Sequence, residues 1–76
     1  MNNTRRKKIE KINEKLEQLR EELELILEEE QEAFENMPEG IQESDRGELA
    51  QEAIDNLESA MSSLEEVSEY LQESIN

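Results

Sequence analysis

The feature that most restricts what this chain can become is a row of apolar residues spaced alternately by three and four. It runs Ile9, Ile12, Leu16, Leu19, Leu23 and Ile26, then resumes at Ala33 and Met37. Glu30 stands at the one position where the pattern calls for another apolar group. This spacing is the heptad seam of a helix packed against another helix, with residues 9, 16, 23, 30 and 37 in one row and 12, 19, 26 and 33 in the other. Leu27 and Phe34 lie beside the seam and widen it towards the middle of the chain. A second run keeps the same spacing: Ala50, Ala53, Leu57, Ala60, Leu64, Val67 and Leu71, flanked by Ile54, Met61 and Ile75. Its small residues Ala53 and Ala60 alternate with large ones, which lets a neighbouring helix approach closely. A face about three positions wide per heptad suits a bundle better than a two-stranded coil.

Between the two runs, residues 36–47 hold the only proline and both glycines. Pro38 disfavours helix at Met37 and lacks a backbone donor, so the first helix is expected to end near Asn36. Ser44 is the expected N-cap of the second helix, with Asp45 and Glu48 complementing its positive end. Pro38 and Glu39 could also start one short helical turn. The spacing therefore predicts helices over 5–36 and 46–74 joined by a loop over 37–45, about 48 Å and 43 Å long. Near-equal lengths and a short connection predict an all-α fold, an antiparallel two-helix hairpin forming a single domain over 1–76.

A hairpin covers each seam from one side only and would leave Leu27, Phe34, Ile54 and Met61 partly wet. Dimerisation into a four-helix bundle is the expected remedy, along a seam of Leu19, Leu23, Ile26, Leu27, Ile54, Leu57, Met61 and Leu64. A chain of 76 residues needs such help, because a domain this small buries only about 60% of its unfolded surface. With no cysteine and no histidine, neither disulfides nor thiolate or imidazole metal sites can supply it. No cofactor is expected. No apolar run is long enough to span a bilayer, and the basic start Arg5-Arg6-Lys7-Lys8 is not followed by the apolar stretch of a secretion signal, so a cytoplasmic location is expected.

Charge is unevenly placed. Residues 1–20 hold seven basic side chains against three acids, whereas residues 21–76 hold nineteen acids against Arg46 alone. That field repels nucleic acid and anionic membrane along most of the chain and attracts basic proteins. In an antiparallel hairpin it also sets Arg5, Arg6, Lys7 and Lys8 beside Glu65, Glu66, Glu69 and Glu73. The basic cluster has no interleaved aromatics, Phe34 and Tyr70 being the only two in the chain, so there is no stacking platform for nucleic acid.

Three groups are candidate sites. Glu30 is a carboxylate within an apolar seam and must find water, a partner or a proton. Glu28, Glu29 and Glu32 come level with Glu52 and Asp55 in a hairpin, in a spacing similar to that of all-α nucleotide pyrophosphohydrolases. On that resemblance Glu29, Glu32, Glu52 and Asp55 would hold magnesium against a triphosphate. The loop, with Phe34, Met37, Glu39, Ile41, Gln42, Asp45 and Arg46, mixes apolar and polar groups as a protein-binding surface does. The serines lack a histidine or cysteine partner and a well-placed lysine base, so no catalytic residue is assigned.

The stretch from Glu28 to Leu57 contains E-x-x-A-F-x-N-M-P-E, S-x-x-G and A-I-x-N-L runs. Through these it resembles short acidic helical proteins of unknown function from phages and mobile elements of Gram-positive bacteria. The resemblance implies a context, that of small accessory proteins that modulate a host protein, and no particular functional residue. The sequence thus predicts a non-enzymatic acidic interaction module that pairs with itself and with a host protein, acting as modulator or inhibitor. The alternatives are a magnesium-dependent nucleotide pyrophosphohydrolase-like protein, a nucleotide-sequestering protein and a purely structural oligomer.

Overall fold

The structure, a computed structural model, describes all of residues 1–76. It is entirely helical, with α1 over Asn3–Glu35, a single turn α2 over Glu39–Gln42, and α3 over Asp45–Ile75. α1 starts earlier than the apolar pattern alone suggests because Asn2 caps it, its side-chain oxygen accepting from the Arg5 backbone N–H at 2.9 Å. It ends at Glu35, just before Pro38, whose missing N–H cannot extend the ladder. The carbonyl of Pro38 instead accepts from the N–H groups of Ile41 and Gln42 and so founds α2.

α3 begins after Ser44, in a way the sequence does not announce. The Ser44 hydroxyl makes no cap bond to α3. It donates backwards to the Ile41 carbonyl, closing α2, and only the Ser44 backbone carbonyl engages α3, accepting from the Glu48 N–H at 3.0 Å. The Gln42 side chain also turns inward, donating to the Phe34 carbonyl at 2.9 Å and the Glu35 carbonyl at 3.5 Å. The Phe34 carbonyl also accepts from the Met37 backbone N–H at 3.1 Å, and the last turn of α1 has no basic side chain to meet its end carbonyls. Gly47 is buried beneath α2, and a Cβ there would overlap the Gln42 backbone, 2.6 Å from its Cα. A residue without a side chain is what permits this approach.

α1 and α3 lie side by side and run in opposite directions, residue 20 meeting residue 65 and residue 31 meeting residue 58. The molecule is a rod of 58 × 15 × 13 Å. No helix is long and apolar enough to cross a membrane.

The seam between the helices differs from the expected one by a rotation of α1. Residues 9, 16, 23 and 30 face α3 as expected, but the second row in the seam is Arg6, Asn13, Arg20, Leu27 and Phe34, all partly covered, and Ile12, Leu19 and Ile26 are turned out. The seam so formed covers Leu27 and Phe34 towards the loop, leaves Ile12, Leu19 and Ile26 to solvent, and draws the polar members of the Phe34 row inward. The expectation that Ile54 stays partly wet is corrected too: it is the most enclosed apolar side chain of the molecule, at 4% exposure. Phe34 and Ile54 line the same shallow groove.

Candidate interaction surface

Each long helix presents two rows to the other and two further rows at the flanks. On α1 the flanking rows are residues 10, 17, 24 and 31 on one side and 12, 19, 26 and 33 on the other. On α3 they are residues 51, 58, 65 and 72, and residues 53, 60, 67 and 74. The Gln31 amide donates to Glu58 at 3.4 Å, and the Arg20 guanidinium reaches Glu65 at 3.0 Å, so the polar flanks share one edge of the pair. By the same geometry the apolar flanks share the opposite edge.

The polar edge is organised around Arg20. Its guanidinium donates twice to Glu17, at 2.7 and 3.3 Å, and once across to Glu65. The hydrogen bonds from Arg20, and secondarily its charge, hold the Glu17 carboxyl below its usual range. The Glu17 hydrogen bond and charge, with smaller contributions from Glu65 and Glu24, raise Arg20 further above its already high value. The expected pairing of Arg5, Arg6, Lys7 and Lys8 with Glu65, Glu66, Glu69 and Glu73 does not form: the two ion pairs present are Arg20–Glu17 and Arg20–Glu65. Rotation of α1 places Arg6 and Asn13 in the seam instead, where Arg6 Nε and Asn13 Oδ1 are enclosed without a hydrogen-bond partner.

The apolar edge carries Ile12, Leu19, Ile26 and Ala33 beside Ala53, Ala60 and Val67. Its four large members are between 45% and 49% exposed. Only three residues of the 76 are buried, Gly47, Ile54 and Ile75, so most of the apolar pattern is half-covered at best. Of the expected oligomer seam, Leu23, Leu27, Leu57, Met61 and Leu64 are half-covered and Ile54 is buried between the two helices of the chain itself, whereas Leu19 and Ile26 face outward. Ile12, Ala33, Ala53, Ala60 and Val67 complete the edge and lay outside the expected seam. Their recurrence at intervals of seven, shared with Leu19 and Ile26, is the signal that identifies them.

At the loop end, Glu39, Ile41, Asp45 and Arg46 are exposed. Phe34, Met37 and Gln42 are half-buried, Gln42 being engaged with the end of α1. Glu30 is half-buried on the seam side of α1, and its carboxylate is not among the enclosed unpaired groups. Glu28, Glu29, Glu32, Glu52 and Asp55 are all exposed, and nowhere do three carboxylates converge as ligands of one metal ion.

No protein-family model matches the chain, and neither a curated protein nor a solved structure matches it significantly.

Proposed function

We propose that this chain is a non-enzymatic interaction module, a helical hairpin that pairs with a second copy through its apolar edge and offers its loop end and acidic faces to a protein partner. The observation that carries this reading is the edge itself: an ordered stripe of large apolar side chains, continuous over several helical turns and flanked by charge. Scattered exposed apolar residues need no explanation, but a contiguous stripe on a small domain marks a contact surface. A face running along a 58 Å rod 15 Å wide offers roughly the 800 Å² per partner that stable interfaces bury. Pairing the edges gives a four-helix bundle, and an all-helical pair with few buried residues is the kind of chain that such pairing stabilises.

The loop end is the natural site for a different protein. Ile41 supplies an exposed apolar contact, while Glu39, Asp45 and Arg46 around it supply orientation. The surrounding field, fourteen negative charges in excess, favours a basic surface on that partner. The sequence resemblance to accessory proteins of phages and mobile elements makes a host protein the expected target, modulated by binding without turnover in the cytoplasm.

The test is retention of a host protein from lysate on immobilised chain, compared with an Ile41→Ser, Arg46→Ala variant that leaves both long helices intact. Specific retention by the unaltered chain and release by the variant is the expected result. Equal retention by both, or none by either, contradicts the assignment of the loop end.

A further inference from the structure

The apolar edge is graded along its length, and so is the charge, and together they fix how a second copy sits on it. This rests on the reading that the edge pairs with a second copy and adds the direction of that pairing. Along α1 the edge presents Ile12, Leu19 and Ile26 and closes on Ala33 at the loop end; along α3 it presents Val67, level with Leu19, then Ala60 and Ala53 towards the loop. Two edges laid loop to loop would set Leu19 against the partner's Val67 at mid-rod and leave Ala33 facing the partner's Ala53 at the loop end. Laid head to tail, Ile12 fills the space over the partner's Ala33 while Leu19 and Ile26 pack on each other at the centre, as close-packed helix interfaces fill their volume.

Charge selects the same arrangement. The first half of α1 bears the basic residues Arg5 to Arg20, while residues 21–35 hold eight acids and no base. Residues 21–56, the loop half of the rod, hold fourteen acids against Arg46, whereas residues 1–20 and 57–76 hold seven basic and eight acidic side chains. A loop-to-loop dimer brings the two strongly acidic halves together. A head-to-tail dimer sets each against a nearly neutral half.

We infer that the dimer is head to tail about a two-fold axis crossing α1 midway between Leu19 and Ile26. α1 of one protomer then runs antiparallel along α1 of its partner, with Ile12 over the partner's Ala33 and Leu19 over the partner's Ile26. Lys11 and Lys15 then come level with the acidic second half of the partner's α1, and Arg5 to Lys8 with the partner's loop end, near the partner's Glu35 and the partner's Glu39, which offers the basic cluster carboxylates that its own chain does not bring to it. The contact is isologous and closes on itself, so association stops at two.

The chain has no cysteine, so a single Glu35→Cys substitution at an exposed position takes one spin label per protomer. Pulsed dipolar spectroscopy on the intact labelled chain, with its mass fixed by light scattering on the same sample, reads the orientation. Head to tail predicts a label separation of about 40 Å from the rise per residue, against less than about 25 Å for loops side by side. A dimeric mass with the short separation overturns the orientation and leaves the self-pairing reading standing. A single-chain mass overturns that reading and the orientation with it. A matching measurement with Asn3→Cys must give the longest separation of all, and a short one there also overturns the inference.

Discussion

Of the two glycines, Gly47 is a packing requirement and Gly40 is not. Gly47 lies where α2 crosses the start of α3, and any Cβ there meets the Gln42 backbone. Backbone cannot swing aside as a side-chain tip can, so Gly47→Ala must push α2 off α3, with a cost of about 1–3 kcal/mol for an overpacked contact. Gly40 has open space around its Cα, and Gly40→Ala is expected to leave the melting temperature unchanged or raise it, by reducing the freedom of the unfolded chain. Thermal unfolding of the two variants checks the contrast; equal melting temperatures would count against the α2 packing. Asn13 supplies the opposite lesson. Its Oδ1 is enclosed in the seam with nothing to donate to it, and an unpartnered buried acceptor costs about 1–3 kcal/mol. Asn13→Leu is therefore expected to raise the melting temperature while keeping the helical circular dichroism. A fall would show that Asn13 has a partner in solution.

At the scale of elements, the pairing of α1 with α3 rests on apolar contact along the seam, from Ile54 near the loop to Ile75 at the far end, and on a single cross-helix ion pair, Arg20–Glu65, between them. The Glu17 carboxyl beside it is held below the ordinary glutamate value, so the stabilisation it brings is complete above about pH 4.3 and fades as pH falls through the lowered folded value. Arg20→Ala is accordingly expected to melt slightly below the unaltered chain at neutral pH, with the gap closing in acid; a gap that widens in acid would contradict the assignment. Both helices are exposed here, so the effect is small at any pH. The long helices and the turn at Pro38 were legible in the sequence because apolar spacing and proline act locally. The rotation of α1 was not. Two rows beside the Ile9–Leu16–Leu23 row compete for the seam, and the row that wins is polar at Arg6, Asn13 and Arg20 and apolar only at Leu27 and Phe34. A pattern read residue by residue favours Ile12, Leu19 and Ile26; the packed structure covers Leu27 and Phe34 instead. The roles of Ser44 and Gln42 escaped for a similar reason, since both bond across the loop to carbonyls whose position the sequence does not fix.

For the whole molecule, the two helices cover each other on one side, their shared polar edge is solvated, and their shared apolar edge is open. Such a rod is at the lower limit of what a single chain can stabilise, and a second copy that removes the edge from water adds the burial it lacks. The segregation of charge, which from sequence alone reads as an internal pairing of the basic start with the end of α3, forms no such pairs within the chain, and the proposed pairing of two copies would give it a role. The measurement that tests the account most directly is the solution mass of the purified chain by light scattering, beside that of a Leu19→Gln, Ile26→Gln variant. The account predicts twice 8.9 kDa for the unaltered chain and a shift towards a single chain for the variant, because both substitutions lie on the open edge and outside the seam within each chain. A mass of 8.9 kDa for the unaltered chain at every concentration tested, or an undiminished dimer in the variant, would contradict it.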